Sequence, residues 1–105
     1  MIEKDRQILE QFASSVKNKY NDAIIMGFGS RVNGNHSEDS DLDICIVIEK
    51  LNEDIDKIIM DISWDIGFEN YILISTIIYD KFTFENLPCK NSPLVKNITE
   101  NGLLA

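Results

Sequence analysis

Two short polar motifs in the first half of the chain contain residues that could take part in catalysis. Gly29-Ser30 follows a short apolar run, and Asp41-Leu42-Asp43 opens another, with ten residues between Ser30 and Asp41. Glycine, serine and aspartate are ordinary turn residues, so each of them alone would be typical of a loop. Two such motifs at the ends of two apolar runs are harder to explain as loops and indicate a functional site.

The aspartate pair is the more informative of the two motifs. Residues two apart on a strand point to the same face, and their Cα atoms lie roughly 6.6 Å apart. Two carboxylates at this spacing repel each other unless a cation lies between them. Oxygen-only ligands favour Mg²⁺ or Mn²⁺ over zinc, and Mg²⁺ usually completes its coordination with water and substrate phosphates. Asp41 and Asp43 are therefore predicted to be metal ligands.

The glycine–serine motif predicts a phosphate-binding turn at the end of the first apolar run. Glycine after a strand lets the backbone approach a ligand closely. Ser30 is expected to cap the turn that follows, whose free N–H groups would face an anion. Arg31 comes next and has two equally weighted interpretations, a phosphate-binding side chain and an ordinary surface arginine. Together with the aspartate pair, the motif predicts a site for a nucleoside triphosphate, in which the protein positions the substrate and stabilises charge.

Hydrophobic periodicity predicts the elements that would position these motifs. Apolar stripes at helical spacing predict three helices, at residues 3–19, from the cap Asn52 to a stop at Gly67, and from Ser92-Pro93 to Gly102. Apolar runs predict strands at 23–28, 42–48 and 71–79, and residues 30–40 predict a short helical turn and a loop. The middle strand is apolar on both faces beyond Asp43, so it is expected to be central. This order predicts a small α/β or α+β layer with a three- or four-stranded sheet, forming one domain over residues 1–105.

The charge and composition narrow the choice of partner. With 10 Lys and Arg against 18 Asp and Glu, the net charge is −8, which repels phosphate backbones and disfavours direct binding of nucleic acid. A basic protein partner suits this surface better. The sequence has no apolar run of membrane-spanning length and no signal-peptide pattern, and its two cysteines lack metal-site spacing. These features predict a cytoplasmic protein with reduced thiols and no membrane partner.

With these motifs, the chain resembles a minimal nucleotidyltransferase of the DNA polymerase beta superfamily. The family pattern is Gly-Ser, a spacer and Asp-x-Asp, and here it reads Phe28-Gly29-Ser30-Arg31 and Ser40-Asp41-Leu42-Asp43. The resemblance implies a polymerase-beta-like fold, a mixed sheet flanked by helices, and transfer of a nucleoside monophosphate from a triphosphate with release of pyrophosphate. It also implies that Ser30, Asp41 and Asp43 are catalytic, that Gly29, Ser30 and Arg31 contact the nucleotide, and that Asp41 and Asp43 hold Mg²⁺, with Mn²⁺ as the alternative.

Short stand-alone members of this superfamily resemble the antitoxins of two-component modules. Their implied partner is a helical HEPN-type ribonuclease toxin, and the implied activity is adenylylation of a toxin tyrosine with ATP and Mg²⁺. Two alternatives stay open. One is a binding module that neutralises the toxin by occlusion with weak or no catalysis, and the other is nucleotidyl transfer to a small molecule or to RNA. The acidic charge disfavours RNA.

One position departs from the family pattern. The family usually has a third carboxylate on the next strand, which helps to hold the metal that activates the acceptor hydroxyl. The run 71–79 contains no acid, and Ser75 is expected at that position. Glu69, just before the run, is a substitute carboxylate, although a solvated position is slightly favoured for it, and Asp80 is expected at the far end.

Three further side chains are given their ordinary interpretations. His36, the only histidine, is expected to be exposed in a polar loop, with a contact to the nucleotide as the alternative. Met60 and Trp64 lie off the isoleucine stripe of their helix. They are expected to widen the core, with a partner-binding surface as the alternative.

Overall fold

Helices and strands alternate along the chain. The computed structural model describes residues 1–34 and 37–105, so the expectation for His36 lies outside the described residues. Within them the order is α1 (Glu3–Lys19), β1 (Ile24–Phe28), α2 (Ser30–Asn33), β2 (Leu42–Ile48), α3 (Glu53–Asn70), β3 (Ile74–Asp80), α4 (Lys81–Glu85), a 3-10 turn (Cys89–Asn91), α5 (Pro93–Asn101) and β4 (Leu103–Leu104). No helix in these ranges is long and apolar enough to cross a bilayer.

A four-stranded mixed sheet, in the order β3-β2-β1-β4, forms the centre of the fold. β1 runs antiparallel to both β2 and β4, whereas β2 and β3 are parallel. A parallel pair needs a crossover connection, and α3 supplies it between β2 and β3. This arrangement confirms the predicted small mixed sheet flanked by helices.

The strand β2 is covered on both faces, as its apolar pattern predicted. Every second side chain from Leu42 to Ile48 joins the main core with apolar residues of α1 and α3. Cys45 and Val47 lie on the opposite face, in a second buried cluster with Ile98 of α5. Because alternate side chains of a strand point to opposite faces, this central strand connects the two layers of apolar packing.

Two predicted helix starts are confirmed by their capping hydrogen bonds. Asn52 Oδ1 accepts from the Ile55 N–H at 2.9 Å, and Ser92 Oγ accepts from the Val95 N–H at 3.1 Å. Each bond satisfies one of the N–H groups that the first turn of a helix leaves unpaired. The two side chains therefore fix where α3 and α5 begin.

The helix α3 is longer than predicted and does not stop at Gly67. It continues to Asn70, and Tyr71 ends it in the left-handed conformation with φ 55°. Gly67 lies inside the helix, and a close contact requires glycine there: a β-carbon would lie 2.7 Å from the Ile72 carbonyl oxygen. Consequently β3 begins at Ile74 rather than at residue 71.

The short strand β4 was not predicted. Leu103 and Leu104 are its only residues, and Leu104 pairs with Met26 of β1. The Ala105 N–H also donates to the Ile25 carbonyl at 2.9 Å. A strand of two residues is too short for alternation to reveal it. Its pairing makes β1 an interior strand, which helps to fix the strand end that carries the first polar motif.

Met60 and Trp64 are exposed, so the expectation that they widen the core is wrong. Their side chains are 44% and 52% exposed, and Phe68, one turn further along α3, is 75% exposed. The buried face of this helix is formed instead by residues such as Ile59 and Ile66. The three exposed apolar residues thus form a separate stripe on the outside of α3.

Candidate active site

The two polar motifs meet at one corner of the sheet. β1 ends at Phe28, and the antiparallel register pairs Phe28 with Asp43 near the start of β2. Gly29 and Ser30 therefore leave β1 where Asp41 to Asp43 enter β2. Neighbouring antiparallel strands place the end of one beside the start of the next, so the intervening chain does not separate the motifs in space.

Gly29 contacts Asp43, and a larger residue would not fit there. Its backbone has φ 79° and ψ −163°, a conformation that residues with a β-carbon rarely adopt. A β-carbon added to Gly29 would collide with Asp43 Oδ2 and would lie 3.1 Å from Asp43 Cγ. The glycine thus allows the Asp43 carboxylate to lie directly against the backbone of the first motif.

The expectation that Ser30 caps the following turn is wrong, because Gly29 is the N-cap residue of α2. Ser30 is the first residue of this four-residue helix, and its carbonyl accepts from the Gly34 N–H. The Asn33 N–H closes the same turn on the Gly29 carbonyl at 3.0 Å. Ser30 is half-buried at the corner, and its contact with a nucleotide stays a prediction.

The two aspartates form an electrostatically unfavourable pair. Burial raises the pKa of Asp43 above its ordinary value, and the neighbouring charge of Asp41 raises that pKa further. In the described part of the chain, neither aspartate forms an ion pair with a basic side chain. A bound cation would relieve the repulsion and favour the ionised form of both carboxylates.

The donor set at this corner fits a hard divalent cation. Asp41 and Asp43 offer oxygen atoms only. Across residues 1–34 and 37–105, no group of three or more His, Cys, Asp and Glu side chains is arranged to hold a metal ion. Zinc sites usually take three or four protein ligands, whereas Mg²⁺ is often held by one or two carboxylates and by substrate phosphates. With oxygen donors only, the pair fits Mg²⁺ or Mn²⁺ better than zinc.

Comparison with known proteins agrees with this geometry. A family model described as a nucleotidyltransferase domain matches residues 9–105. The chain belongs to this nucleotidyltransferase family. The family is of the polymerase beta type, its chemistry is nucleotidyl transfer, and its members generally use a nucleoside triphosphate and a divalent metal. A search of curated proteins found no match.

In this nucleotidyltransferase, Ser75 lies beside Asp43 on the neighbouring strand. The parallel register pairs the two residues directly, at the position where the resemblance implies a third carboxylate. Ser75 is exposed. The side of the aspartate pair that faces β3 therefore carries a hydroxyl instead of an acid.

The two candidate substitutes for the third carboxylate are engaged elsewhere. Glu69 lies in the last turn of α3 and accepts a hydrogen bond from Gln11 Nε2 at 3.1 Å on the exposed surface, which agrees with its solvated interpretation. Asp80 pairs with Ile48 at the far end of β3 and accepts from the Phe82 N–H at 3.0 Å as the cap of α4. Neither acid replaces Ser75 beside Asp43.

Arg31 is buried, so its interpretation as a surface arginine is wrong. It is 7% exposed, and its Nη1 donates to both carboxylate oxygens of Asp5 at 3.1 Å. Its Nε donates to the Ser40 carbonyl at 2.7 Å, and its Nη2 donates to the Glu38 carbonyl at 3.0 Å. These bonds connect α2 to the residue before Asp41 and to α1. Phosphate binding by Arg31 stays a prediction, and it would require some of these bonds to break.

The sequence alone did not reveal the role of Asp5. This residue is 2% exposed and lies on the same stripe of α1 as Leu9, Phe12 and Val16. A charged residue on an apolar stripe is the signal that could have identified it, because a buried charge needs a partner of opposite charge. The partner proved to be Arg31, directly after the Gly29-Ser30 motif.

Proposed function

We propose that this protein is an Mg²⁺-dependent adenylyltransferase that transfers AMP from ATP to a tyrosine of a HEPN-type ribonuclease toxin and thereby acts as its antitoxin. The observation that carries the proposal is the contact between Gly29 and Asp43, where the two motifs of a nucleotidyltransferase meet. Nucleotidyl transfer in general follows from the family. The choice of ATP, of a tyrosine and of a toxin rests on the resemblance to short antitoxin-like members.

The residues at the corner have distinct roles in this proposal. Asp41 and Asp43 would hold the cation, Gly29 lets the Asp43 carboxylate lie directly against the backbone of the first motif, and Ser30 would contribute a hydroxyl to the phosphates. When bound, Mg²⁺ neutralises charge on the triphosphate and lowers the pKa of the acceptor hydroxyl. The tyrosine oxygen forms a bond to the α-phosphorus, the bond to pyrophosphate breaks, and the hydroxyl proton passes to solvent.

The charge of the protein supports a protein acceptor rather than a nucleic acid. A net charge of −8 repels the phosphates of RNA, whereas it attracts a basic protein. A ribonuclease binds RNA through a basic surface. Such a toxin therefore complements the charge of this chain.

A second function, neutralisation by occlusion, is favoured by one observation. Ser75 is paired with Asp43 where the resemblance implies a third acid. A cation that activates the acceptor hydroxyl there would have one protein ligand fewer than the resemblance implies. In this alternative the protein covers the toxin without modifying it.

Transfer assays with aspartate variants separate the two functions. The protein is incubated with α-labelled ATP, Mg²⁺ and the purified protein encoded by the neighbouring gene. We expect label on a tyrosine of that protein, and we expect Asp41→Asn and Asp43→Asn to abolish it. Asp22→Asn is the matched control, because Asp22 is exposed and lies just before β1, at the opposite end of this strand from the corner.

The combination of transfer and neutralisation decides the outcome. Loss of both label and neutralisation in the aspartate variants supports the enzyme. Full neutralisation by the Asp41→Asn, Asp43→Asn double variant, with no label transferred by the wild type, contradicts the enzyme and supports occlusion.

A further inference from the structure

We propose that an exposed apolar groove beside the candidate active site is the docking surface for the acceptor protein. The groove is lined by Met60, Trp64 and Phe68 of α3 and by Tyr71 and Leu73 of the segment before β3, and we call it the α3–β3 groove. This inference rests on the proposed protein acceptor and names the surface that binds it.

The α3–β3 groove exposes large aromatic side chains to water. Trp64 is 52% exposed, Phe68 75% and Tyr71 97%. The rings of Trp64 and Phe68 pack against each other with their centroids 6.1 Å apart, so this wall of the groove is formed before any partner binds. Contiguous exposed apolar patches commonly mark protein interfaces, and aromatic residues commonly contribute most of the binding energy there.

The groove is continuous with the candidate active site. It consists of two surface depressions that share Trp64, Leu73 and Ile74. One of these depressions extends along the edge of the sheet to Asp41 and Ser75. A protein bound in the groove would therefore have part of its surface beside Asp41, one of the two aspartates near which its acceptor hydroxyl must lie.

Acidic residues along the groove specify a basic partner. The helix α3 contains six acidic residues and one lysine. Two of the acidic residues, Asp61 and Asp65, are exposed next to the stripe of Met60, Trp64 and Phe68. Residues three apart are neighbours on a helix surface, so Asp61 lies beside Trp64, and Asp65 lies beside Phe68. A partner with an apolar anchor surrounded by Lys and Arg complements this arrangement.

A second copy of this chain fits the groove less well. A twofold interface brings the same surface of both subunits together. Each copy has a net charge of −8, and the acidic helix α3 of one copy would face the same helix of the other. The charge therefore favours a basic acceptor protein over self-association.

The double variant Trp64→Ala, Phe68→Ala tests this surface. Both side chains are exposed and alanine favours helix, so the variant is expected to fold, which thermal unfolding checks. Calorimetric titration with the purified protein encoded by the neighbouring gene should show binding about 30-fold weaker than that of the wild type. Phe82→Ala is the matched control, because Phe82 is 74% exposed on α4, beyond the far end of β3, and its binding should be unchanged.

Charge variants test the choice of a basic partner. Asp61→Asn together with Asp65→Asn should weaken binding by about threefold at low salt and by less at high salt. An affinity that does not change with these substitutions or with salt would overturn the assignment of a basic partner.

Titration of the double variant with ATP and Mg²⁺ alone separates this inference from the proposed function. Retained ATP binding with weakened partner binding supports the docking surface, whether or not the wild type transfers AMP. If the wild type transfers AMP and the double variant binds the partner equally well, the docking surface is overturned and the proposed function stands. Absence of partner binding by the wild type also overturns the docking surface, as does a wild-type dimer that the double variant converts to a monomer.

Discussion

Replacing Arg31 by methionine is expected to destabilise the fold and, separately, to weaken ATP binding. Methionine keeps an unbranched apolar stem but removes the donors of the guanidinium. The Asp5 carboxylate, which is 2% exposed, then has no partner, and breaking a buried ion pair in this way costs about 3–5 kcal/mol. The substitution also removes the bonds to the Ser40 and Glu38 carbonyls, which are 2.7 and 3.0 Å long.

This cost is large for a domain of this size, because typical free energies of unfolding are about 5–15 kcal/mol. The unfolding entropy is about 2.1 cal/mol/K per residue. For 105 residues this gives about 0.22 kcal/mol/K, so the loss lowers the Tm by roughly 14–23 °C.

Two further variants separate the effect on stability from the effect on the site. The double variant Asp5→Leu, Arg31→Met removes both charges and should recover most of the lost stability, because apolar replacement of a buried pair is often neutral. It does not restore the bond that holds the Ser40 carbonyl, next to Asp41. Its ATP affinity should therefore stay about tenfold weaker than that of the wild type, a factor that corresponds to the free energy of about one hydrogen bond. Asp5→Asn keeps those bonds and should lose stability while ATP affinity is retained.

Urea unfolding and calorimetric titration with ATP and Mg²⁺, below the Tm of each variant, measure the two effects. The reasoning is refuted if Arg31→Met costs less than about 1 kcal/mol, since that value is typical of an exposed pair. It is also refuted if the Asp5→Leu, Arg31→Met double variant binds ATP as tightly as the wild type. That result would mean that the Arg31 bonds do not position Asp41.

Three further predictions concern the corner itself. Gly29→Ala should lower the free energy of unfolding by about 1–3 kcal/mol and abolish Mg²⁺-dependent ATP binding through the collision with Asp43. Gly34→Ala is the control, because Gly34 also has a positive φ but has open space around it, and it should keep ATP binding. Equal losses of ATP affinity in the two variants would contradict the importance of the contact. The pKa of Asp43 is raised above 3.8 in the folded chain, so the folded chain holds the carboxyl proton of Asp43 more tightly than the unfolded chain does. The free energy of unfolding therefore falls as the pH rises from 3.8 through the raised pKa. Asp43→Asn should therefore be more stable than the wild type at pH 7 in EDTA, by less than about 1 kcal/mol, and a lower Tm would contradict this. Ser75→Asp should tighten Mg²⁺ binding about tenfold in calorimetry. Ser14→Asp, on the exposed face of α1, is the control and should leave the Mg²⁺ affinity unchanged. An unchanged Mg²⁺ affinity in Ser75→Asp would contradict the placement of residue 75 beside the metal ligands.

The strands β1 to β3 and the corner could be predicted because their signals are local. In β2 the side chains beyond Asp43 are apolar on both faces, which is typical of a strand buried on both faces. Gly29 and Asp43 mark the ends of adjacent runs, and antiparallel pairing of such runs is sufficient to bring them together. The resemblance predicted Ser75 at the position of the third acid, and the register of β2 and β3 pairs it with Asp43.

Contacts between distant parts of the chain could not be predicted in this way. Gly67 looked like a helix stop, but it is a glycine because the Ile72 carbonyl approaches it closely. Asp5 and Arg31 are 26 residues apart, and neither local pattern contains information about the other. Such residues are determined by what packs against them in three dimensions, which only the folded chain shows.

The aromatic stripe of α3 shows why periodicity alone cannot separate a core from an interface. Periodicity identifies the residues that share a helix face but not what lies against that face. Ile59 and Ile66 already fill the contact of α3 with the rest of the core, so Trp64 and Phe68 stay exposed. Each Å² of apolar surface that is removed from water contributes about 25 cal/mol of favourable free energy. A partner that covers this stripe would bury that surface, so Met60 and Trp64, which their helical spacing assigned to the core, support a docking surface instead.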